Sequence, residues 1–268
     1  MSGLEVINAS FSYGNDNIFS HINFDVGKGE IFCLLGPNGC GKTTLLDCIL
    51  GFLKLDEGKI NFDGRDIRKF KAGTLARFMS YVPQRHDRTF PYSVLEMTTM
   101  GRAAYTGMFS SPNEEDVHIA EESLRKVGIL HLKKRPYTQL SGGEGQLVLI
   151  ARALAQQTDF VIMDEPAAHL DFRHELILLE TIQNLVSKGN ISVIMASHFP
   201  NDVFYLENNH KNTRVAIMSE GHLVAVGRPD DVLKEDIIQK VYSVETRVIS
   251  YQMGDRDKRT QIIPIKAL

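Results

Sequence analysis

Cysteine is scarce: Cys33, Cys40 and Cys48 are the three in 268 residues. The number is odd and no C-x-x-C pair occurs, which argues against a disulfide framework and against the common zinc and redox spacings. A reducing compartment fits. All three fall in one short stretch, where small-residue packing is the ordinary reading and thiol sensitivity at Cys40 the sharper one. Long apolar runs are missing too, since Leu147 to Leu154 is interrupted by Arg152 and is too short to cross a bilayer. The start, Met1-Ser2-Gly3-Leu4-Glu5, has neither a basic segment nor an apolar core, so no secretory signal is expected. Charge of one sign is not in excess: 30 Lys and Arg against 33 Asp and Glu leave a net charge of −3. That gives no bulk footprint for nucleic acid. No internal repeat of solenoid period is present. What remains is ordinary globular material, 43% hydrophobic and 24% charged, enough for one large domain or two small ones.

Against that plain background one stretch stands out, Gly36-Pro37-Asn38-Gly39-Cys40-Gly41-Lys42-Thr43-Thr44. It fits the phosphate-loop pattern G-x-x-x-x-G-K-[ST]. Ile31 to Leu35, just before it, is an apolar run of the kind that forms a buried parallel strand. Thr44 to Leu50, just after it, predicts a helix that stops at Gly51. Strand, glycine loop and helix together aim backbone N–H groups and a helix N-terminus at an anion. Lys42 can then reach the β- and γ-phosphates, and the Thr43 hydroxyl can ligate Mg²⁺. A chance match to the four fixed positions recurs roughly once in a hundred such sequences. The flanking strand and helix make it rarer.

Around this loop, the alternation of Ile22, Phe24 and Val26 predicts antiparallel strands within residues 1–30. Ile60 and Phe62 continue the strand pattern to a turn at Asp63-Gly64, and Phe78 to Val82 reads as another strand. From about residue 87 to 150 the pattern becomes helical. Ser111-Pro112-Asn113-Glu114 reads as a capping box with proline at the first helical position. Val117, Ala120, Leu124 and Val127 then share one helix face, which Gly128 closes. The acids Glu114 to Asp116 and Glu121 to Glu122 read as dipole complements on a solvated face. Further strands are predicted at Phe160 to Met163 and Ser192 to Ser197, a hairpin around Glu220-Gly221, and helices over Glu175 to Val186 and Asp231 to Tyr242. Glu207 to Asn212 reads as an insertion loop, and the tail to Leu268 as a packing segment with a short strand at Val248 to Tyr251.

Binding a nucleotide is one thing and hydrolysing it another. Asp164 and Glu165 close an apolar strand, which puts two carboxylates at the carboxyl edge of a parallel sheet. One can hold Mg²⁺ while the other orients and deprotonates an attacking water. Taken alone, an acidic turn before Pro166 is commonplace; with a phosphate loop upstream it is much less so. Leu140-Ser141-Gly142-Gly143-Glu144 precedes the apolar helix from Leu147, so Ser141 and the glycine amides crown a helix N-terminus, a second anion site.

This combination resembles the ATP-binding subunits of ABC transporters, in which L-S-G-G-x is the defining motif, and the resemblance covers nearly the whole chain. It implies an α/β fold of the P-loop NTPase class with an antiparallel β subdomain and a RecA-like parallel-sheet core (1–86 and 151–242). A helical subdomain (87–150) and a C-terminal tail (243–268) complete a single ABC ATPase domain. It further implies ATP and Mg²⁺ as ligands, with Tyr13 stacking on adenine, Gly36 to Thr44 as Walker A and Gln84 as the Q-loop glutamine that senses Mg²⁺. Asp164 becomes the Walker B aspartate, Glu165 the catalytic base, Asp171 the D-loop residue and His198 the switch histidine. Two copies would pack head to tail, with Ser141, Gly142 and Gly143 of one covering the nucleotide of the other.

Three positions depart from the family pattern: Gly145 where arginine is frequent, Ala168 where serine or threonine is usual, and Phe199-Pro200 where aspartate follows the histidine. None removes a catalytic group. Ser93 to Glu96, Met100 to Tyr105 and Ser111 to Asp116 resemble the helical region of ATPases serving vitamin B12, haem, ferric-siderophore and molybdate or tungstate importers. The partners implied are two polytopic membrane permease subunits and, indirectly, a periplasmic substrate-binding protein, at the cytoplasmic face of the inner membrane; no nucleic acid is implied. A soluble ABC ATPase of iron–sulfur cluster assembly has the same motifs, and a non-hydrolytic nucleotide-binding scaffold stands as the reading from another class.

Overall fold

Alternation sets the first strand, with one interruption: β1 (Leu4–Tyr13) buries Leu4 and Val6 and, past a shift of register at Asn8 (φ 47°), Ala9 and Phe11. A computed structural model describes residues 3–84, 89–106, 111–168, 170–189, 191–209, 212–253 and 257–268. The chain divides into two units, Met1–Lys69 with Ser192–Leu268, and Phe70–Ile191. In the first, β1 pairs antiparallel with β2 (Asp16–Val26), Val6 opposite Phe24. Then comes β3 (Ile31–Leu35), buried throughout, whose side chains on both faces are apolar as a central parallel strand requires. Phe24 and Phe32 stack with centroids 4.8 Å apart and planes 10° from parallel. The helix after the loop, α1 (Lys42–Ile49), buries Leu45, Leu46, Cys48 and Ile49, each large side chain contributing about 1.5–3 kcal/mol. Gly51, at φ 74°, supplies the left-handed turn that ends it. Next, β4 (Glu57–Phe62) pairs with β1, and the Asp63-Gly64 turn leads into β5 (Arg65–Asp66), giving the sheet order β2-β1-β4-β5.

In the second unit, a short helix α2 (Ala72–Leu75) precedes β6 (Met79–Val82). Three helices then pack on one another: α3 (Val94–Thr99), α4 (Glu114–Lys126) and α5 (Gly142–Ala155). Gly101 makes the approach to α5 close, because a Cβ there would lie 2.1 Å from the Arg152 carbonyl oxygen. The start of α4 differs from the sequence expectation. Asn113 is the N-cap, accepting from the Asp116 N–H at 2.9 Å while Asp116 accepts from the Asn113 N–H at 3.1 Å. Pro112 therefore lies outside the helix, and the box runs Asn113 to Asp116 rather than from Ser111. Nor is Asp116 on a solvated face: it is buried and bonded to Arg102 at 2.9 Å. Ala120, Leu124 and Val127 are buried as the spacing implied, and Gly128 turns the chain at φ 79°. The unit ends with β7 (Phe160–Asp164), parallel to β6, and α6 (Phe172–Gly189), which starts three residues before the expected Glu175.

Back in the first unit, β8 (Ser192–Ser197) lies parallel to β3. A helix that the sequence reading did not anticipate follows, α7 (Pro200–Asn209), so Glu207 to Asn209 are helical rather than an insertion loop; His210 and Lys211 fall outside the described residues. Strands β9 (Thr213–Ser219) and β10 (His222–Gly227) form the expected hairpin, with Glu220 and Gly221 both at positive φ, and β9 lies parallel to β3. The strand order within this unit is β10-β9-β3-β8. The single helix expected over Asp231 to Tyr242 is two, α8 (Pro229–Val232) and α9 (Glu235–Tyr242). The tail holds a long hairpin of β11 (Val244–Met253) and β12 (Asp257–Ala267) where one short strand was expected. No helix among the described residues is long and apolar enough to cross a membrane.

Candidate functional site

The phosphate loop joins β3 to α1 within the first unit, and its glycines answer to neighbours as well as to dihedral angles. A Cβ on Gly36 would meet the Met218 carbonyl oxygen of β9 at 2.2 Å and Cys40 Sγ at 2.6 Å. At Gly41, left-handed at φ 103° and the N-cap of α1, a Cβ would meet Met218 Cε at 2.9 Å and Ile18 at 3.2 Å. Gly39, at φ 80°, has open space where a Cβ would go, the side on which a ligand can approach the backbone. Lys42 is buried and folds back over the loop, its Nζ donating to the carbonyls of Gly36 at 2.7 Å and Pro37 at 3.0 Å. Its charge is thereby held above the loop's own backbone. Thr43 is exposed and Thr44 half-buried at the first turn of α1, where N–H groups lack helical partners. Met218 and Ile18, which shape the loop, carry no motif signal in the sequence.

Two more residues of interest lie in the first unit. Tyr13 ends β1 half-exposed, its ring edge-on to Phe11 at 4.9 Å. His198 directly follows β8 and rests against Phe199, ring centroids 3.9 Å apart. Buried Asp202, in α7, accepts from Ser197 Oγ at 3.1 Å, and Ser197 Oγ accepts from the Phe199 N–H at 3.0 Å. The segment carrying His198 is braced on both sides.

The second unit gathers the acidic and amide groups. Asp164 ends β7 almost fully buried, and Glu165 follows half-buried in a left-handed backbone, φ 43°. For a non-glycine residue that conformation costs about 1–2 kcal/mol, the kind of local strain that marks functional turns. It turns the Glu165 side chain to Gln84, whose Nε2 donates to Glu165 Oε2 at 3.0 Å. Ser141 is the N-cap of α5: its Oγ accepts from the Glu144 N–H at 3.2 Å and its own N–H donates to Glu144 Oε2 at 2.8 Å. That bond to the Ser141 N–H is the main reason the Glu144 carboxyl is held below the usual range. The Gly142 and Gly143 amides lie in the same first turn, with Gly142 exposed and Gly143 buried. Asp171 is the exposed N-cap of α6, its Oδ1 accepting from the His174 N–H at 2.9 Å, which lowers its carboxyl below the usual range. Glu144, the far half of the capping box, and His174 were not singled out by the sequence reading. His169, beside the D-loop position, is outside the described residues.

Thr43, Asp164 and Gln84 offer only oxygen donors, a hydroxyl, a carboxylate and an amide carbonyl, the hard set that suits Mg²⁺. Among the described residues no group of three or more His, Cys, Asp or Glu could hold a metal unaided. Mg²⁺ usually takes one or two carboxylates and completes its shell with substrate phosphates and water, so each of these groups is of the right chemistry for it.

Residues 19–168 match the family described as ABC transporter. A protein of Haemophilus influenzae described as an uncharacterized ABC transporter ATP-binding protein is 35% identical over 96% of this chain and 95% of its own length. The molybdate import ATP-binding protein MolC of the same organism is 37% identical over 76% of each chain. The hemin import ATP-binding protein HmuV of Thermobifida fusca is 31% identical over 93% of this chain and 86% of its own. Among solved structures, the inward-facing form of a metal-chelate type ABC transporter superposes with a TM-score of 0.87 at 31% identity, over 99% of this chain and 98% of that one. With the phosphate loop on β3, the carboxylates at the end of β7 and the L-S-G-G-x cap of α5 in hand, the chain belongs to the ABC transporter family, as one of its ATP-binding, ATP-hydrolysing subunits.

Proposed function

We propose that this subunit powers the import of a metal chelate or metal oxyanion, such as a ferric siderophore, haem, cobalamin, molybdate or tungstate. It does so as a homodimer bound to two polytopic membrane subunits at the cytoplasmic face of the inner membrane, with a periplasmic binding protein delivering cargo. The observation that carries the importer reading is the likeness, over nearly the full length of both chains, to a metal-chelate type transporter. Relatives named for hemin and molybdate import support the same class of cargo. The iron–sulfur assembly alternative has no comparable support.

In this reading Tyr13 stacks on adenine and the amides of Gly36 to Thr44 receive the phosphates, with Lys42 leaving the Gly36 and Pro37 carbonyls to neutralise phosphate charge. Mg²⁺, held by Thr43, Asp164 and Gln84, supplies further neutralisation of the phosphate oxygens when bound. Glu165 takes the proton of the attacking water, and its bond from Gln84 keeps the carboxylate oriented until substrate enters. His198 lies near the γ-phosphate, while Ser141, Gly142, Gly143 and Asp171 act on the nucleotide of the second copy. Phosphoryl transfer needs little more than this positioning and charge stabilisation.

The test is recovery of tagged Glu165→Gln from its native membranes in mild detergent with ATP. A polytopic membrane protein co-purifying in equal amount supports the importer. Only soluble partners, with ATPase activity intact in the unmutated chain, would overturn it in favour of cluster assembly.

A further inference from the structure

His174 belongs to no motif, yet it touches two. Its backbone N–H and its ring both engage Asp171: the N–H donates to Oδ1 at 2.9 Å, and Nδ1 lies 2.8 Å from each carboxylate oxygen. An ionised carboxylate can only accept, so the ring's bond to it is one that Nδ1–H donates. The same ring lies against Gly143. A Cβ built on Gly143 would sit 2.2 Å from His174 Cδ2, 2.3 Å from Cγ and 2.7 Å from Cβ. No side chain fits there while the imidazole stays. Gly143 does not need to be glycine for its backbone, since it has no positive φ and lies in the first turn of α5. The space its Cβ would need is taken by His174. The imidazole is half-buried, its side chain 22% exposed, between the exposed Asp171 carboxylate and the N-terminal turn that Ser141 and Glu144 cap.

We propose that His174 is a positioning residue that couples the Asp171 loop to the Ser141-Gly142-Gly143 turn. The inference rests on the reading above, in which both elements act on the second copy's nucleotide. One imidazole, bonded to Asp171 and packed on Gly143, makes the two elements move together. Displacement of the turn by a nucleotide phosphate shifts the ring and with it the Asp171 carboxylate. The role concerns turnover in the closed dimer, not the binding of nucleotide at the chain's own phosphate loop.

The two contacts can be separated. His174→Phe keeps a ring over Gly143 and removes the bond to Asp171, whereas His174→Asn restores a donor near the Nδ1 position. In the dimer assembled with its membrane subunits, His174→Phe is expected to lower kcat about tenfold, the range of a typical coupling between sites, with KM for ATP changed less than about twofold. His174→Asn recovers part of kcat. His174→Phe combined with Asp171→Ala falls no further than the worse single variant. In a thermal melt, Gly143→Ala is expected to lower the midpoint far more in the parent chain than in a His174→Gly background, because only glycine at 174 removes the Cβ 2.7 Å away together with the ring. A wild type that hydrolyses ATP alongside an unimpaired His174→Phe, additive losses in the double variant, or a Gly143→Ala unaffected by removal of the ring would each overturn the proposal. A chain that recovers no polytopic membrane protein overturns the transporter reading instead, and the melts of the Gly143 and His174 variants, which need no partner, still decide whether the ring and the turn are coupled.

Discussion

Gln84 donates its side-chain amide to Glu165 at 3.0 Å, and the Glu165 backbone that makes this possible is left-handed, at φ 43°. The carboxylate proposed as the base is thus aimed by a strained turn together with the hydrogen bond that the turn allows. Removing the carboxylate charge without changing its shape tests the role. Glu165→Gln is expected to bind ATP with near-normal affinity while kcat falls at least about a hundredfold, the lower end of what a general base contributes. Phosphate release under saturating ATP, alongside nucleotide binding by fluorescence, reads both. Turnover within a few-fold of the parent chain would remove Glu165 from the base position.

The strain itself is measurable apart from activity. Only glycine adopts the left-handed region without a Cβ penalty, so Glu165→Gly and Glu165→Ala differ chiefly in the backbone. Glu165→Gly is expected to be more stable than Glu165→Ala by about 1 kcal/mol, despite glycine's larger loss of entropy on folding. Chemical denaturation of the two variants under identical conditions supplies the comparison. Equal or reversed stabilities would mean that the turn is not strained.

The parts of this site that are local in sequence were legible, and the parts that depend on tertiary contact were not. A strand, a glycine loop and a helix within Ile31 to Ile49 declare a phosphate site because the whole device is one continuous segment. The Ser141 cap likewise needs only its own turn. Asp116 was misread because its partner Arg102 lies on another element, and an acid near a helix start has an adequate local explanation without it. His174 was missed because one exposed-looking histidine near a helix start carries no signal until the chain folds it onto Gly143. Asn113 displaced Ser111 as the cap because both satisfy the same local rule, and Asp116 closes a reciprocal box with Asn113. In the tail, Pro264 inside β12 breaks the strand pattern that would have revealed the hairpin. At Pro200 the signal was present: proline at a first helical position, followed by Asp202 in the first turn, is a helix start.

Two glycines of the phosphate loop should respond differently to the same change. At Gly36 a methyl group would collide with the Met218 carbonyl oxygen at 2.2 Å, and neither β9 nor the loop can yield cheaply because both are main chain. Gly39 has open space and only its φ of 80° against substitution. Gly36→Ala is expected to lose ATP binding and to melt lower than the parent chain. Gly39→Ala folds with a penalty of about 1–2 kcal/mol and keeps weakened binding. Thermal melts with and without ATP distinguish the two. The same loss of fold and binding in both variants would show that dihedral strain, rather than the contact with Met218, sets the requirement for glycine.

The Arg102–Asp116 pair makes a prediction about acid stability. Both side chains are buried, and Arg102 also donates to the Ala155 carbonyl at 2.9 Å and to Gln157 Oε1 at 2.9 Å, which fixes the guanidinium. Its bond to Asp116, followed by the Asn113 N–H, holds the Asp116 carboxyl below the usual range. A carboxyl with a lowered folded pKa contributes stability that is complete above its unfolded value, about 3.9, and is lost as pH falls through the folded value. Asp116→Asn leaves Arg102 buried without its counter-charge, so the variant should melt below the parent chain at pH 7. The gap should hold down to about pH 4 and then narrow, because protonation of Asp116 in the parent chain makes it resemble the variant. Melting curves of the two proteins at pH 7, 5 and 3 give the answer. A gap that stays constant to pH 3 would place the Asp116 contribution in packing, since a contact indifferent to protonation has no reason to fade with acid.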